Sequence, residues 1–242
     1  MKVLVIGDSC TDIFRYGEVN RLAPEAPVPV INPKKEIKAP GMAGNVVENL
    51  RALGVKVDFL TNKTKIKKIR YVCSKYNYLL LRVDENDQCD KYKGEYTTIN
   101  YDAVVISDYN KGFLSKDDIK TFAEKSKCPV FLDTKKELGS WCKHVDFIKI
   151  NFYEYENNKK VIKNSSELYN KTIITRGKYG CNFQGKNYPT VNVPIKDVSG
   201  AGDTFLAGLV TNYIKTSDIK LAINFAQECT TKVVQKLGVS TI

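Results

Sequence analysis

Asp197-Val198-Ser199-Gly200-Ala201-Gly202-Asp203-Thr204-Phe205 is the stretch on which the reading of this chain turns. It is a glycine-rich turn entering an amphipathic helix. The helix is predicted to begin near Asp203 and to bury Phe205, Leu206, Leu209, Val210 and Tyr213. Two glycines let the backbone approach a ligand closely. Unpaired N–H groups at a helix start, with the positive end of the helix dipole, make an anion site. An acid in the first helical turn often only complements that dipole. Here the charge also sits beside the anion hole. Such a carboxylate can take a proton from a hydroxyl while the N–H groups hold a phosphoryl group.

Outward from this turn, short β-rich apolar runs alternate with helical patterns, which predicts α/β architecture. Core strands are expected at residues 3–6, 55–60, 103–106, 130–132, 147–150 and 172–174. A helix after Gly41 places Val46, Val47, Leu50 and Leu53 on one face, and another is expected from Ser115, which suits a cap. The last helix is predicted from about Asp218 to Leu237, stopped by Gly238. Two stretches, residues 13–38 with four prolines and residues 65–84 rich in aromatics, lack a helical period. They are expected to form a small antiparallel sheet attached to the main domain.

Three further groups fall where open α/β sheets gather ligands, beyond strand carboxyl ends. Asn151 and Glu154 follow the strand at 147–150, an amide and a carboxylate suited to positioning hydrated Mg²⁺. Asp8 and Asp12 follow the first strand and suit the hydroxyls of a polar substrate. Gly41-Met42-Ala43-Gly44-Asn45 is a second glycine-rich helix entry. Each of these taken alone also reads as a turn or a cap.

Composition narrows the classes. The 242 residues suffice for a sizeable core, with 43% hydrophobic and 27% charged residues. The net charge of +11 suits anionic substrates or nucleic acid, but the lysines are scattered and read as a solvated surface. The dense run is Lys63, Lys65, Lys67, Lys68 and Arg70. Seven cysteines without a C-x-x-C pair predict reduced thiols in a cytoplasmic protein. One histidine, His144, excludes multi-histidine metal sites. No signal peptide or apolar run of membrane-spanning length is read. Neither a P-loop nor a dinucleotide fingerprint occurs.

In this order, the segments resemble the ribokinase-type (PfkB) carbohydrate kinases. Asp197–Phe205 is similar to that family's C-terminal signature, 41–45 to its N-terminal signature and 151–154 to its N-x-x-E motif. Within the family, the chain is most similar to the D-glycero-β-D-manno-heptose 7-phosphate kinases. Residues 21–30 and Ser107-Asp108-Tyr109-Asn110-Lys111-Gly112 carry that likeness best. The resemblance implies a single domain over residues 1–242, a ribokinase-like three-layer α/β/α fold with a small β-sheet lid at about 13–38 and 65–84. It implies ATP-dependent phosphoryl transfer to the anomeric hydroxyl of a sugar. Asp203 would be the base, and the N–H groups of Gly200, Ala201 and Gly202 would form the anion hole. Asn151 and Glu154 would organise Mg²⁺. Asp8, Asp12, Gly41, Gly44 and Asn45 would meet the sugar, with Lys68, Arg70 and Arg82 at a sugar phosphate. Thr175, Gly177 and Gln227 would flank the nucleotide. The implied partners are a sugar or sugar phosphate, with no nucleic acid and no membrane, and a homodimer through the lid is compatible with the family.

The chain departs from the pattern. A core helix and strand are missing after Thr61, and a further shortening lies between Glu156 and Lys171. Met42 stands for the second glycine of the usual pair, and Gln227 for a common Asn. Three alternatives stay open at this point. They are a kinase for another sugar or a nucleoside, a non-catalytic sugar- or nucleotide-binding module, and a nucleic-acid binder.

Overall fold

In strand β1 (Lys2–Gly7), Val3 and Val5 point to one face and Leu4 and Ile6 to the other, and all four are buried. A strand that is apolar on both faces has to be covered on both. The computed structural model, which describes residues 1–95 and 97–242, shows this sandwich. Val3 and Val5 join a core with helices α1 (Ala43–Ala52), α5 (Ala201–Thr216) and α6 (Ile219–Val233). Leu4 and Ile6 join a second core with α2 (Lys116–Lys125), α3 (Phe152–Lys163) and α4 (Ser166–Lys171). Phe122, in this second core, and Phe131, in the first, are fully buried, each contributing roughly 1.5–3 kcal/mol by leaving water.

The main sheet lies between these layers. Its parallel strands are β4 (Lys56–Thr61), β1, β7 (Ala103–Asp108), β8 (Val130–Thr134), β9 (Phe147–Asn151) and β10 (Thr172–Thr175), side by side in that order. β11 (Cys181–Phe183) and β12 (Lys186–Tyr188) extend it antiparallel beyond β10. Parallel strands bring their carboxyl ends to one edge. Asp8, Asp108, Thr134, Asn151 and Thr175 all stand at or just past that edge.

The lid is a second, four-stranded sheet in the order β3 (Pro29–Met42), β2 (Ser9–Leu22), β5 (Ile66–Cys73), β6 (Tyr78–Glu85). It differs from the antiparallel expectation. β2–β3 and β5–β6 are antiparallel hairpin pairs, but β2 and β5 run parallel. The chain returns to the core through α1 and β4 between them, so β5 is not a hairpin partner of β2. The lid strands also begin earlier than expected, at Ser9, because β2 follows β1 directly. β3 holds Pro29, Pro33 and Pro40 and is an edge strand, where a missing N–H is tolerated.

Two helix ends correct the sequence reading. α5 starts at Ala201, with Gly200 as its cap, so Asp203 is the third helical residue. α6 stops at Val233 rather than near Leu237. The Val234 carbonyl instead accepts the N–H groups of Lys196 and Asp197, at 2.8 and 3.3 Å, and the Gly238 N–H donates to Asp197 at 3.0 Å. The end of the helix is exchanged for an anchor on the glycine-rich turn. β4 is an edge strand, and only residues 62–65 separate it from β5, where a helix and strand were expected to be missing. No helix among the described residues is long and apolar enough to cross a membrane.

Candidate active site

Gly200 takes φ 78° and ψ 0°, the left-handed conformation that turns the chain into α5. A Cβ there would stand 2.4 Å from Asn45 Nδ2. That proximity joins the two glycine-rich helix entries. Asn45 Nδ2 donates to Asp203 Oδ2 at 2.9 Å. Asn45 is itself held by Asn49, whose Nδ2 donates to the Asn45 carbonyl at 2.8 Å and to its Oδ1 at 3.1 Å. Thr204 in turn donates to Asn49 Oδ1 at 3.2 Å. The other oxygen of Asp203 accepts the Tyr109 hydroxyl at 2.6 Å. Burial pushes the Asp203 carboxyl up from 3.8 to about 6, against the lowering effect of Tyr109, Asn45 and Lys149. A base that titrates near neutral pH is suited to proton removal from a hydroxyl.

Beneath this turn lies a chain of buried charge. Lys149 Nζ contacts Asp133 at 2.7 Å and would lie 2.8 Å from a Cβ on Gly202. An ammonium therefore reinforces the first N–H groups of α5. Lys135 pairs with Glu154 and lies 3.7 Å from Asp133. Burial raises the Asp133 carboxyl, but Lys149 and Lys135 outweigh it and hold the group below its ordinary value. Tyr109, Asn49, Lys135 and Lys149 were missed in the sequence. Tyr109 stood in the 107–112 segment that carries the family likeness, with no role assigned to it, and Lys149 showed as a charge inside an apolar core strand.

Asn151 and Glu154 form a capping box at the start of α3. The Asn151 side chain accepts the Glu154 N–H at 2.8 Å, and the Asn151 N–H donates to Glu154 Oε2 at 2.8 Å. Among the described residues, no group of three or more His, Cys, Asp or Glu side chains could hold a metal ion directly. Glu154 is buried, with Oε1 held by Lys135 and Asn151 Nδ2 and Oε2 by the Asn151 N–H, so it suits an ion that keeps its own waters, as Mg²⁺ does, better than one it would bind directly.

Thr175, Gly177 and Gln227 line one cavity. A cavity of about 830 Å³ is lined by Asn151, Thr175, Arg176 and Gly177. A smaller one of about 110 Å³ connects Thr175 and Gly177 to Ala201, Gly202 and Gln227. Gln227 Oε1 is buried without a partner, and its Nε2 donates to the Pro189 carbonyl at 3.3 Å.

Of the residues read as acceptor contacts, four lie together. Asp12, Gly41, Gly44 and Asn45 cluster at the base of the lid. A Cβ on Gly41 would stand 2.1 Å from Asp12 Oδ2, so glycine is what leaves room for that carboxylate. Met42 takes φ 58°, a strained value for a side-chain-bearing residue, and is buried against Cys10 and Ile66. Asp8 is a correction. It is fully buried, with no surface left to meet a sugar, and its carboxylate accepts the N–H groups of Tyr109 and Phe113 at 2.7 and 3.2 Å, which pins a loop. Arg70 pairs with Asp12, and Arg82 grips Asp84 through two 2.6 Å bonds. Of the three cations expected at a phosphate, only Lys68 has no carboxylate in ion-pair reach among the described residues. Lys68 is 8% exposed, and its Nζ lies 5.4 Å from the centre of the Tyr109 ring.

With this geometry in place, comparison with known proteins is direct. The pfkB family carbohydrate kinase model matches residues 92–242. Curated relatives include the Bifunctional protein HldE of a Nitratiruptor species and that of Helicobacter pylori. Each is 30% identical, over 99% and 98% of this chain respectively. The chain spans 63% of the length of each. Among solved structures, Arabidopsis thaliana ribokinase complexed with ribose and ATP superposes with a TM-score of 0.70 at 16% identity, over 98% of this chain and 93% of that one. The fold is ribokinase-like, and the chain belongs to the pfkB family of carbohydrate kinases.

Proposed function

We propose that the chain transfers the γ-phosphoryl group of ATP to the anomeric hydroxyl of a heptose 7-phosphate or a closely related sugar phosphate. The observation that carries this reading is Asp203, a buried carboxyl raised to about 6, at the third position of a helix whose first N–H groups face the nucleotide cleft. Asp203 takes the hydroxyl proton as the sugar oxygen bonds to phosphorus and the bond from phosphorus to ADP breaks. The N–H groups of Gly200, Ala201 and Gly202, with Lys149 behind them, stabilise charge on the transferring group. Glu154 and Asn151 would hold hydrated Mg²⁺, which supplies charge neutralisation at the phosphates.

Two observations support a phosphorylated acceptor. Lys68 is buried on β5 between the strands that carry Asp12 and Asp84, beyond ion-pair distance of both, so its ammonium is left to meet a further anion. The segments at 21–30 and 107–112 resemble the heptose phosphate kinases. Asp12, Gly41, Gly44 and Asn45 would hold sugar hydroxyls. A homodimer through the lid is supported by Leu79, Leu81 and Val83, an apolar row exposed along one side of β6. Sedimentation of wild type against Leu81→Lys tests it, a monomeric wild type being the contrary result. Seven free cysteines fit a cytoplasmic location. The activity test is Mg²⁺-dependent ADP release with heptose 7-phosphate against sugars, other sugar phosphates and nucleosides, with Asp203→Asn as control. Selective turnover of heptose 7-phosphate supports the reading, and turnover of an unphosphorylated acceptor alone overturns it.

A further inference from the structure

Each oxygen of Asp203 already has one donor, Asn45 on Oδ2 and Tyr109 on Oδ1. An acceptor hydroxyl that gives its proton to Asp203 has to enter on one of these sides. Asn45 is locked from behind by Asn49 and also reaches the Gly200 carbonyl at 3.4 Å. The Tyr109 hydroxyl has Asp203 as its sole hydrogen-bond partner among the described residues. Oδ1 is therefore the side that opens. The backbone of Tyr109 is fixed by its 2.7 Å bond to buried Asp8, so the ring moves from an anchored base. Two ammonium groups also lie near the ring, Lys68 Nζ at 5.4 Å and Lys135 Nζ at 5.2 Å from its centre. Lys68 belongs to the lid, and Lys135 to the charge chain at Glu154.

We infer that Tyr109 is a positioning residue for the base. Its hydroxyl holds Asp203 in place until the acceptor hydroxyl displaces it, and its ring divides the acceptor end of the cleft from the phosphate end. The inference rests on the proposed reaction for its catalytic part, while the contact with Asp203 is independent of it.

A hydroxyl donated to a carboxylate favours the ionised form, so Tyr109 works against the burial that raises Asp203. The other groups around Asp203 are Lys149 and Lys135, which favour ionisation, and Asp133 and Cys10, which oppose it when charged. None of these changes in Tyr109→Phe, which removes only the hydroxyl. The variant should move the acid limb of kcat/KM to higher pH by about one unit, the scale of one hydrogen bond to a charged group. Its KM for ATP should stay within about twofold, since binding to the anion hole is untouched. Tyr109→Leu, which also removes the ring, should raise KM for the acceptor roughly tenfold further. Infrared difference titration of the Asp203 carboxyl, with Asp203→Asn as the blank, reads the same shift without any substrate. An equal upward shift in titration and rate profile supports the inference. A carboxyl that titrates in Tyr109→Phe where it does in wild type overturns it. Absence of turnover by the wild type with every acceptor would instead remove the proposed reaction, and the titration would still decide the Tyr109 contact.

Discussion

At the end of the cleft proposed for the nucleotide, the helix entry at Gly200 offers backbone N–H groups. Gly200, in its left-handed conformation, starts α5, whose first residues Ala201 and Gly202 border a cavity of about 110 Å³. At the acceptor end stand side chains that satisfy one another. Asp12 holds Arg70, and Asp203 holds both Asn45 and Tyr109. The first end is preorganised, because N–H groups fixed by a helix need no rearrangement to meet an anion. The second end has to exchange internal partners for substrate hydroxyls, so its selectivity lies in which internal bonds an acceptor can replace.

The comparison breaks most visibly at Asp203. Asp203→Asn leaves the backbone-built end intact and removes the base, so turnover should fall by about 10³ while ATP affinity stays within about twofold. Steady-state kinetics with nucleotide titration check both halves. Lys68→Met tests the cation that, of the three read at a phosphate, has no carboxylate in ion-pair reach among the described residues. It should raise KM for a phosphorylated acceptor by roughly ten- to a hundredfold, and change KM for ATP little. An equal change for an unphosphorylated sugar would contradict the assignment. Gly200→Ala attacks the other end. Its positive φ and the close approach of Asn45 predict a stability loss of roughly 1–2 kcal/mol and a weaker hold on ATP, read by denaturant unfolding and calorimetry.

The smallest effect concerns stability. The Asp203 carboxyl is raised from 3.8 to about 6, so the folded chain holds this proton more tightly than the unfolded one. Ionisation therefore costs stability as pH rises from 3.8 to about 6, and the cost is fully present above 6. Asp203→Asn should melt above wild type at pH 7.5, and the difference should shrink at pH 5.

The same division explains what could be read in the sequence. The glycine-rich turn, Asp203 beside it and the core strands were legible because they are local patterns: a helix entry, an acid within one turn, short apolar runs. Tyr109 and Asn45 reach Asp203 from 94 and 158 residues away, so no local pattern announces their meeting. Asp8 was misread for the same reason. A carboxylate past a strand end looks available until the loop at 109–113 folds onto it. Arg70 and Arg82 read as phosphate ligands, and the sequence did not show that they hold Asp12, on the neighbouring strand, and Asp84, two residues along the same strand. α6 was drawn too long because apolar Val234 and Leu237 continue its pattern, while the Val234 carbonyl is used by the turn before the site.

The most direct test of the central claim is Mg²⁺-dependent ADP release by the wild-type chain with heptose 7-phosphate and with the same heptose lacking the phosphate, each repeated with Asp203→Asn. The account predicts turnover that prefers the phosphorylated sugar by at least about tenfold in kcat/KM and vanishes in the variant. Equal turnover of the two sugars, or turnover retained by Asp203→Asn, would contradict it.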